Sequence, residues 1–421
     1  MLISLKVNNC LIYNSEVEMS MRANRHYKRF QNNVFSAGDV NVLKTAVLIG
    51  PNNSGKTNFV RILGMLKNLM LGYSTTLSGN LFSDNPIVEI SVSFLENGKE
   101  YLFDIKYDAS KKEYIYERFA YIHRDKYNNV KITDLLVRDV KNKHYFAENQ
   151  ELSTAMKVAS KNNILIYLID TDNFPSLDNI RTIIRKFASK IDIVDMNNIP
   201  IKKTIDMLKS SDELHHKIAN FVLNADLNLE DFRYLNDDEI KIVLEMQNSE
   251  ELKPQENVLN TSAPLTEMLH LASVYKGVTV PSMIFDSTGT KKMAALASYV
   301  IDALENGRIL IVDELDNSLH FRLTRAIIAL FNNELNQSAQ LIATVHDVSL
   351  LDCQTLFRKE QIWFTHKDKE DAYLYSLAEF TTEKTGIRDT SDLIEKYRKG
   401  IFGALPEPDL FQSLLEVKQS G

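Results

Sequence analysis

The sequence predicts an α/β protein built on a mixed parallel sheet, with an antiparallel β subdomain and an inserted helical arm. Short apolar runs, such as Thr45–Ile49 and Ile309–Val312, are typical of buried parallel strands. Residues 87–146 alternate apolar and polar side chains, as antiparallel strands do. Between residues 152 and 223 the apolar spacing becomes helical, which predicts an arm or lid that interrupts the sheet.

The elements near the N-terminus can be assigned in order. Leu2–Val7 reads as a strand with Glu16–Met21 as its partner, and Thr45–Ile49 reads as a buried central strand. Apolar positions at helical spacing predict a helix over Asn58–Leu71. The tetrapeptide ENGK, residues 96–99, predicts a hairpin turn between two alternating strands.

In the arm, Ile180, Ile183, Ile184, Phe187 and Ile191 are predicted to share one helical stripe. Strand–helix–strand order resumes over residues 277–376, the arrangement of the second half of a parallel sheet. The expected segments are an N-terminal lobe at 1–95, an antiparallel β region at 96–150, the helical arm at 151–225, a connecting β and loop region at 226–276, and a C-terminal lobe at 277–421.

Composition excludes several classes of protein. Among the 421 residues, 44% are hydrophobic and 25% are charged, which is typical of a globular chain. The net charge of −7 argues against a protein that coats nucleic acid. The two cysteines have no metal-ligand spacing, and no run reaches membrane-spanning length. We expect a cytoplasmic protein with no membrane partner.

One motif points directly to nucleotide chemistry. Residues 50–57 read GPNNSGKT and match G-x-x-x-x-G-K-[ST] between a predicted strand and a predicted helix. Glycines let successive N–H groups surround a phosphate, the lysine contributes charge to the β- and γ-phosphates, and the threonine hydroxyl ligates Mg²⁺. The predicted ATP-binding residues here are Gly50, Pro51, Asn52, Asn53, Ser54, Gly55, Lys56, Thr57 and Asn58.

A second motif supplies two carboxylates at the end of an apolar strand. In RILIVDELDNSLH, residues 308–320, the strand ends at Asp313 and Glu314. Asp313 is the predicted second Mg²⁺ ligand, acting through water, and Glu314 is the predicted base that polarises the attacking water. Alone, this pattern is an ordinary strand with an acidic turn; the P-loop makes the functional interpretation the better one.

Two further segments complete the predicted site. His346 follows the apolar strand of QLIATVHDVSLLD, residues 340–352, from which it could reach a γ-phosphate. Thr288, Gly289 and Thr290, in DSTGTKKM, precede an apolar helix and form a second anion-binding turn. A lone histidine at a strand end is usually structural, and the turn alone is a plain N-cap.

Together these four segments resemble the P-loop ATPases of the ABC type, in the RecF, SMC, Rad50 and OLD group. The closest likeness is to small AAA-family ATPases of bacterial abortive-infection and phage-resistance systems. The likeness covers residues 1–95 and 277–410, including the segments QIWFTHKDKEDAYLYSL and EKYRKGIFGALPEPD. The adenine-contacting and glutamine-loop residues are not identified.

This resemblance implies a sandwich dimer. The turn at Thr288–Thr290 corresponds to the signature motif, which contacts the γ-phosphate of ATP held by the other subunit. Here Thr288 takes the place of the usual serine and Thr290 that of the second glycine. His320 replaces the usual aspartate of the D-loop. The implied cofactors are ATP and Mg²⁺.

The leading hypothesis is an ATP hydrolase that acts as a nucleotide-driven switch or sensor in anti-phage defence. We expect a homodimer or higher homo-oligomer. Only residues 377–421 follow the last matched strand, without an acidic two-metal motif, so we expect a separate effector, either a toxin or a nuclease. DNA or RNA stays open as a partner. The alternatives are an ATP-assembled scaffold with incidental turnover and a DNA-repair ATPase of the RecF or SMC kind.

Overall fold

The computed structural model divides the chain into two compact units. The N/C unit contains residues 2–189 and 343–421, and the central unit contains residues 190–342 together with Met1. The residues that the structure describes are 1–37, 40–124, 129–170, 172–225, 228–246, 267–368, 371–388 and 391–405.

The first part of the N/C unit is mostly antiparallel sheet. Its elements are β1 (Leu2–Asn8), β2 (Val17–Ser20), β3 (Val34–Ala37), β4 (Val40–Leu43), β5 (Thr45–Ile49), α1 (Lys56–Leu71), β6 (Ile87–Glu96), β7 (Lys99–Asp108), β8 (Glu113–Arg124), β9 (Val130–Asp139), β10 (His144–Ala147), α2 (Gln150–Val158) and α3 (Pro175–Ser189).

The largest sheet has seven strands in the order β10-β9-β8-β7-β6-β1-β2, and every neighbouring pair is antiparallel. The predicted β1–β2 pairing and the turn at residues 96–99 are confirmed. Asn97 and Gly98 have φ values of 51° and 73°, the geometry of a tight hairpin turn.

Helix α3 packs on this sheet through the predicted apolar stripe. Ile180, Ile183, Ile184 and Phe187 are all buried, and Phe187 stacks on Phe94 of β6 with ring centroids 4.2 Å apart. The stripe was predicted one turn too long. The helix ends at Ser189, and Ile191 instead begins a strand of the central unit, because an isolated isoleucine satisfies the helical and the strand pattern equally.

The central unit contains β11 (Ile191–Asp195), α4 (Lys202–Ser210), α5 (Asp212–Leu223), β12 (Asp231–Tyr234), α6 (Asp237–Met246), β13 (Leu271–Tyr275), β14 (Val278–Pro281), α7 (Ser282–Phe285), α8 (Thr288–Asn306), β15 (Ile309–Asp313) and α9 (Phe321–Asn332). Strands β11 and β15 are parallel, with Asp195 opposite Asp313, whereas β12, β13 and β14 form an antiparallel sheet. Helix α8 packs on α4 and α5, and the three helices share an apolar core.

The chain returns to the N/C unit along β16 (Gln340–Val345), and then forms β17 (Ile362–Lys367), β18 (Ala372–Ser376), α10 (Thr382–Thr385) and α11 (Leu393–Arg398). Strand β17 runs parallel to β5 and antiparallel to β18, so this sheet is mixed, as predicted. All five residues of β5 are buried, which explains why the four that follow Thr45 are apolar. Among the described residues, no helix is long and apolar enough to cross a membrane.

Candidate nucleotide-binding site

The P-loop connects the buried strand β5 to helix α1, as the sequence predicts. Its first glycine is held against β17. A Cβ atom on Gly50 would lie 2.3 Å from both the carbonyl oxygen and Oγ1 of Thr365, so no larger residue fits. The hydroxyls of Ser54 and Thr365 are 2.6 Å apart, within hydrogen-bonding distance. The loop therefore approaches β17 closely at Gly50 and is joined to it by a hydrogen bond at Ser54.

The second glycine of the loop precedes helix α1 in a left-handed conformation. Gly55 has a φ of +116°, and the buried Tyr13 hydroxyl donates a hydrogen bond to its carbonyl oxygen over 3.1 Å. Burial, with a smaller contribution from Cys10, raises the pKa of Tyr13 far above its ordinary value, so the phenol stays protonated and able to donate. Tyr13 therefore holds the carbonyl group of Gly55 in place at the end of the loop.

The ammonium of the P-loop lysine contacts the backbone of its own loop. The Lys56 ammonium donates to the carbonyl oxygens of Gly50 and Pro51 over 2.6 and 2.9 Å, and Lys56 is only 5% exposed. The Nδ1 atom of His346, which follows β16, lies 3.5 Å from the same ammonium. The structure therefore brings together two of the predicted site residues that are far apart in sequence.

The remaining P-loop residues suit a phosphate and its metal ion. Asn52 and Asn53 are exposed, whereas Pro51 in the loop and Thr57 and Asn58 at the start of α1 are half-buried. The first N–H groups of a helix lack intrahelical partners and attract anions. Mg²⁺ needs only one or two protein oxygens in addition to water and phosphate, and the Thr57 hydroxyl of the N/C unit and the Asp313 carboxylate of the central unit are each oxygen donors of the kind it prefers.

The predicted carboxylates lie in the central unit, at the end of β15. Asp313 is buried, and its carbonyl oxygen accepts a hydrogen bond from the N–H of Met196 over 3.0 Å. Glu314 has a φ of +56°, which is uncommon for a residue with a side chain. Its Oε2 atom accepts hydrogen bonds from the side-chain amides of Asn197 and Asn317, over 3.0 and 3.1 Å.

The predicted signature turn begins helix α8 in the same unit. Ser287 is the N-cap, because its hydroxyl accepts from the N–H of Thr290 over 3.1 Å. The hydroxyl of Thr290 lies 2.9 Å from that of Ser287, whereas Thr288 is exposed. A Cβ atom on Gly289 would lie 2.9 Å from the carbonyl oxygen of Ser318, so this glycine permits close contact with the segment that follows β15.

The structure thus gathers the predicted residues into two groups, one in each unit. The P-loop and His346 form the first group, and the carboxylates and the signature turn form the second. His320, at the predicted D-loop, caps α9 by accepting from the N–H of Arg322 over 3.3 Å.

Sequence reasoning missed four residues of these groups. They are Tyr13, Ser287, Thr365 and Asn197. Only Ser287 carried a local signal, since a serine directly before the first residue of a helix is typical of an N-cap. The other three act across long sequence separations, which no local pattern reports.

A glycine-rich loop between a buried parallel strand and a helix, with an enclosed lysine, defines a P-loop nucleotide-binding protein of the α/β class. The chain belongs to the family described as "AAA domain, putative AbiEii toxin, Type IV TA system", whose model matches residues 46–352. The predicted resemblance to ABC-type ATPases of the abortive-infection group is thereby confirmed. No curated protein matches the chain in sequence.

Solved structures similar to the chain include three SMC head domains. The SMC head bound to the C-winged helix domain of ScpA is 13% identical, covers 89% of this chain and 97% of its own, and has a TM-score of 0.46. The SMC head domain from Thermotoga maritima is 12% identical, with coverage of 89% and 98% and a TM-score of 0.42. The Smc head domain with an extended coiled coil, bound to the C-terminal domain of ScpA derived from Pyrococcus furiosus, is 12% identical, with coverage of 94% and 99% and a TM-score of 0.38.

Proposed function

We propose that this protein binds and hydrolyses ATP, and that the nucleotide cycle makes it a switch or sensor in anti-phage defence. One observation carries the enzymatic part. Lys56 is enclosed by the carbonyl oxygens of its own loop, with the His346 ring beside its ammonium. A cation with a proton-transfer group beside it at a P-loop suits a site that reacts with the terminal phosphate as well as holding it.

The chemical roles follow from the donor types. Lys56 and the N–H groups of the loop bind the β- and γ-phosphates. Thr57 and Asp313 are the proposed protein contacts of Mg²⁺, which neutralises phosphate charge when it is bound. Glu314 accepts the proton of the attacking water, and His346 contacts the γ-phosphate. Thr288 and Gly289 would contact the ATP of a second copy of the chain.

The defence role rests on the family. The description of that family names a putative AbiEii toxin and a type IV TA system. We propose that this chain is the nucleotide-responsive component and acts on a separate toxin or nuclease chain. The switch would open and close a homodimer as ATP is bound and hydrolysed.

Nucleic acid is the weaker candidate for the partner. Two basic residues of the N/C unit already have carboxylate partners. Arg22 pairs with Glu100 over 2.5 Å, and Lys186 pairs with Glu96 over 2.9 Å. Cations that already have carboxylate partners release less binding free energy to a phosphate backbone.

The decisive experiment is steady-state ATP hydrolysis with Mg²⁺, with and without DNA, combined with mass measurement in ATP. We expect turnover without DNA and a dimer in ATP. Lys56→Ala should lose ATP binding, because it removes the cation aimed at the β- and γ-phosphates. Arg61→Ala, an exposed cation on the same helix, is the matched control and should behave as wild type.

Each alternative has its own outcome in this experiment. ATP binding with assembly but no turnover would support a scaffold instead of an ATPase. Turnover that requires DNA would support the DNA-repair alternative. Normal ATP affinity in Lys56→Ala would contradict the P-loop assignment itself.

A further inference from the structure

We propose that Asn197 is a positioning residue that orients the carboxylate of Glu314 for its role as general base. The inference rests on the proposed function, since it requires that Glu314 acts in hydrolysis. Asn197 lies two residues after β11, and Glu314 directly follows β15. Because these strands are parallel, with Asp195 opposite Asp313, both side chains leave the same edge of the sheet.

The contacts around Asn197 determine which way its amide faces. Its Nδ2 atom donates to Oε2 of Glu314 over 3.0 Å and to Oδ1 of Asp195 over 3.1 Å. Its Oδ1 atom accepts from Nδ2 of Asn317 over 2.7 Å. Ionised carboxylates only accept, so the NH₂ group of Asn197 must face the two acids. The backbone N–H of Asn197 also donates to Asp195, over 2.8 Å, which holds the residue in place.

The orientation of Asn317 is determined in the same way. Its Nδ2 atom donates to Glu314 and to Asn197, and its Oδ1 atom accepts from the ammonium of Lys292 over 3.1 Å and from the hydroxyl of Ser318 over 3.0 Å. Lys292 belongs to helix α8, which begins at the proposed signature turn. The carboxylate of Glu314 is therefore connected to that helix through a chain of hydrogen bonds in which every donor meets an acceptor.

This network orients a side chain whose direction is set by an unusual backbone conformation. Glu314 is in the left-handed region, so its side chain leaves the chain in a direction that a residue in the preceding strand would not adopt. Two amide donors on one oxygen restrict rotation about the terminal torsion, which is otherwise broad for glutamate. A base held in one orientation reacts faster than one that samples several. Asn197 is itself exposed, so its side chain adds little to stability.

The test is a kinetic comparison of variants at residue 197. Asn197→Ala should lower kcat about tenfold, the effect of losing one hydrogen bond to a charged group, while the Kd for ATP and the melting temperature stay unchanged. Asn197→Asp should lower kcat further, because a carboxylate would face Glu314 and repel it. Asn198→Ala is the matched control, since Asn198 is exposed in the same loop; it should leave kcat unchanged.

Single-turnover hydrolysis in the Glu314→Gln background separates positioning from other effects. There, Asn197→Ala should slow hydrolysis by less than about twofold, because contacts that act through Glu314 are not additive with its loss. The inference is overturned if Asn197→Ala alone keeps wild-type kcat, or if its tenfold loss persists in the Glu314→Gln background. Near-normal hydrolysis by Glu314→Gln alone would overturn the assigned base, and with it this inference, whereas a slow Glu314→Gln with a normal Asn197→Ala overturns the inference only.

Discussion

The Nδ1 atom of His346 lies 3.5 Å from the ammonium of Lys56, although the two residues come from different strand ends. A neutral imidazole can accept from the ammonium, whereas an imidazolium would oppose it. Under the proposed function, His346 therefore lies beside the lysine that binds the β- and γ-phosphates.

The first prediction concerns this histidine. His346→Ala should slow ATP hydrolysis about 100-fold or more, because it removes a group that contacts the γ-phosphate in the transition state. The Kd for ATP, measured by titration, should stay within about threefold, since Lys56 and the loop amides remain. His366→Ala, a histidine on β17, is the control. A large loss of affinity with unchanged kcat would reassign His346 to ground-state binding.

The second prediction concerns the proposed base. Glu314→Gln should bind ATP as tightly as wild type and hydrolyse it at least about 100-fold more slowly, since an amide cannot accept the proton of water. The variant should therefore accumulate as an ATP-bound closed dimer, which mass measurement in ATP and Mg²⁺ would detect. Fast hydrolysis by this variant would move the role of base to another residue, with His346 the first to test.

The third prediction tests whether each ATP site is shared between two chains. Thr288→Asp should bind ATP through its own P-loop yet fail to hydrolyse it. The new carboxylate would repel the γ-phosphate of the ATP bound by the other chain. Thr288 is the better position for this change. It is exposed at the start of α8, where an acid stabilises the helix, whereas any side chain at Gly289 would press on the carbonyl of Ser318.

Mixing supplies the measurement. Thr288→Asp and Lys56→Ala chains, each inactive alone, should together recover roughly one working site per heterodimer, formed by the intact P-loop of the first and the intact turn of the second. Thr288→Ser is the conservative control and should keep most activity. Heterodimers that form but stay inactive would show that each chain contains a self-contained site.

The fourth prediction concerns the stability of the central unit at low pH. Burial alone would raise the pKa of Asp302, but hydrogen bonds from Lys203, Asn306 and Arg308 outweigh it and hold this pKa below its ordinary value of 3.8. Such a group stabilises the fold fully above the unfolded-state pKa, and that contribution is lost as pH falls through the lower folded-state pKa.

Asp302→Asn should therefore lower the free energy of unfolding by about 1–3 kcal/mol at pH 7, the value of hydrogen bonds to a charged group. The difference from wild type should shrink as the pH falls below that of the unfolded carboxyl. Urea unfolding at a series of pH values measures it, with Asp206→Asn, an exposed aspartate on α4, as the control. A difference that grows toward acid pH would contradict the assigned sign.

Local patterns in the sequence predicted the elements that present the site. Strand β15 was predicted as Ile309–Val312 and spans Ile309–Asp313, and helix α1 was predicted from Asn58 and begins at Lys56. The apolar run that predicted helix α8 starts at Ala294, but the helix begins six residues earlier, at Thr288, because Ser287 caps it there. The predicted segment boundaries and the roles of the site residues stay predictions.

The P-loop is the part that the sequence determined by itself. Its eight residues are contiguous, and the type of each residue permits the conformation that the loop needs there. Gly55, for example, adopts a left-handed conformation that glycine allows without steric cost. Tertiary structure alone decided which side chains support that loop and the carboxylates. Thr365 reaches Ser54 because β17 pairs with β5, and Asn197 reaches Glu314 because β11 pairs in register with β15. Periodicity records only which face of an element is buried, whereas such contacts depend on which strands become neighbours and in what register.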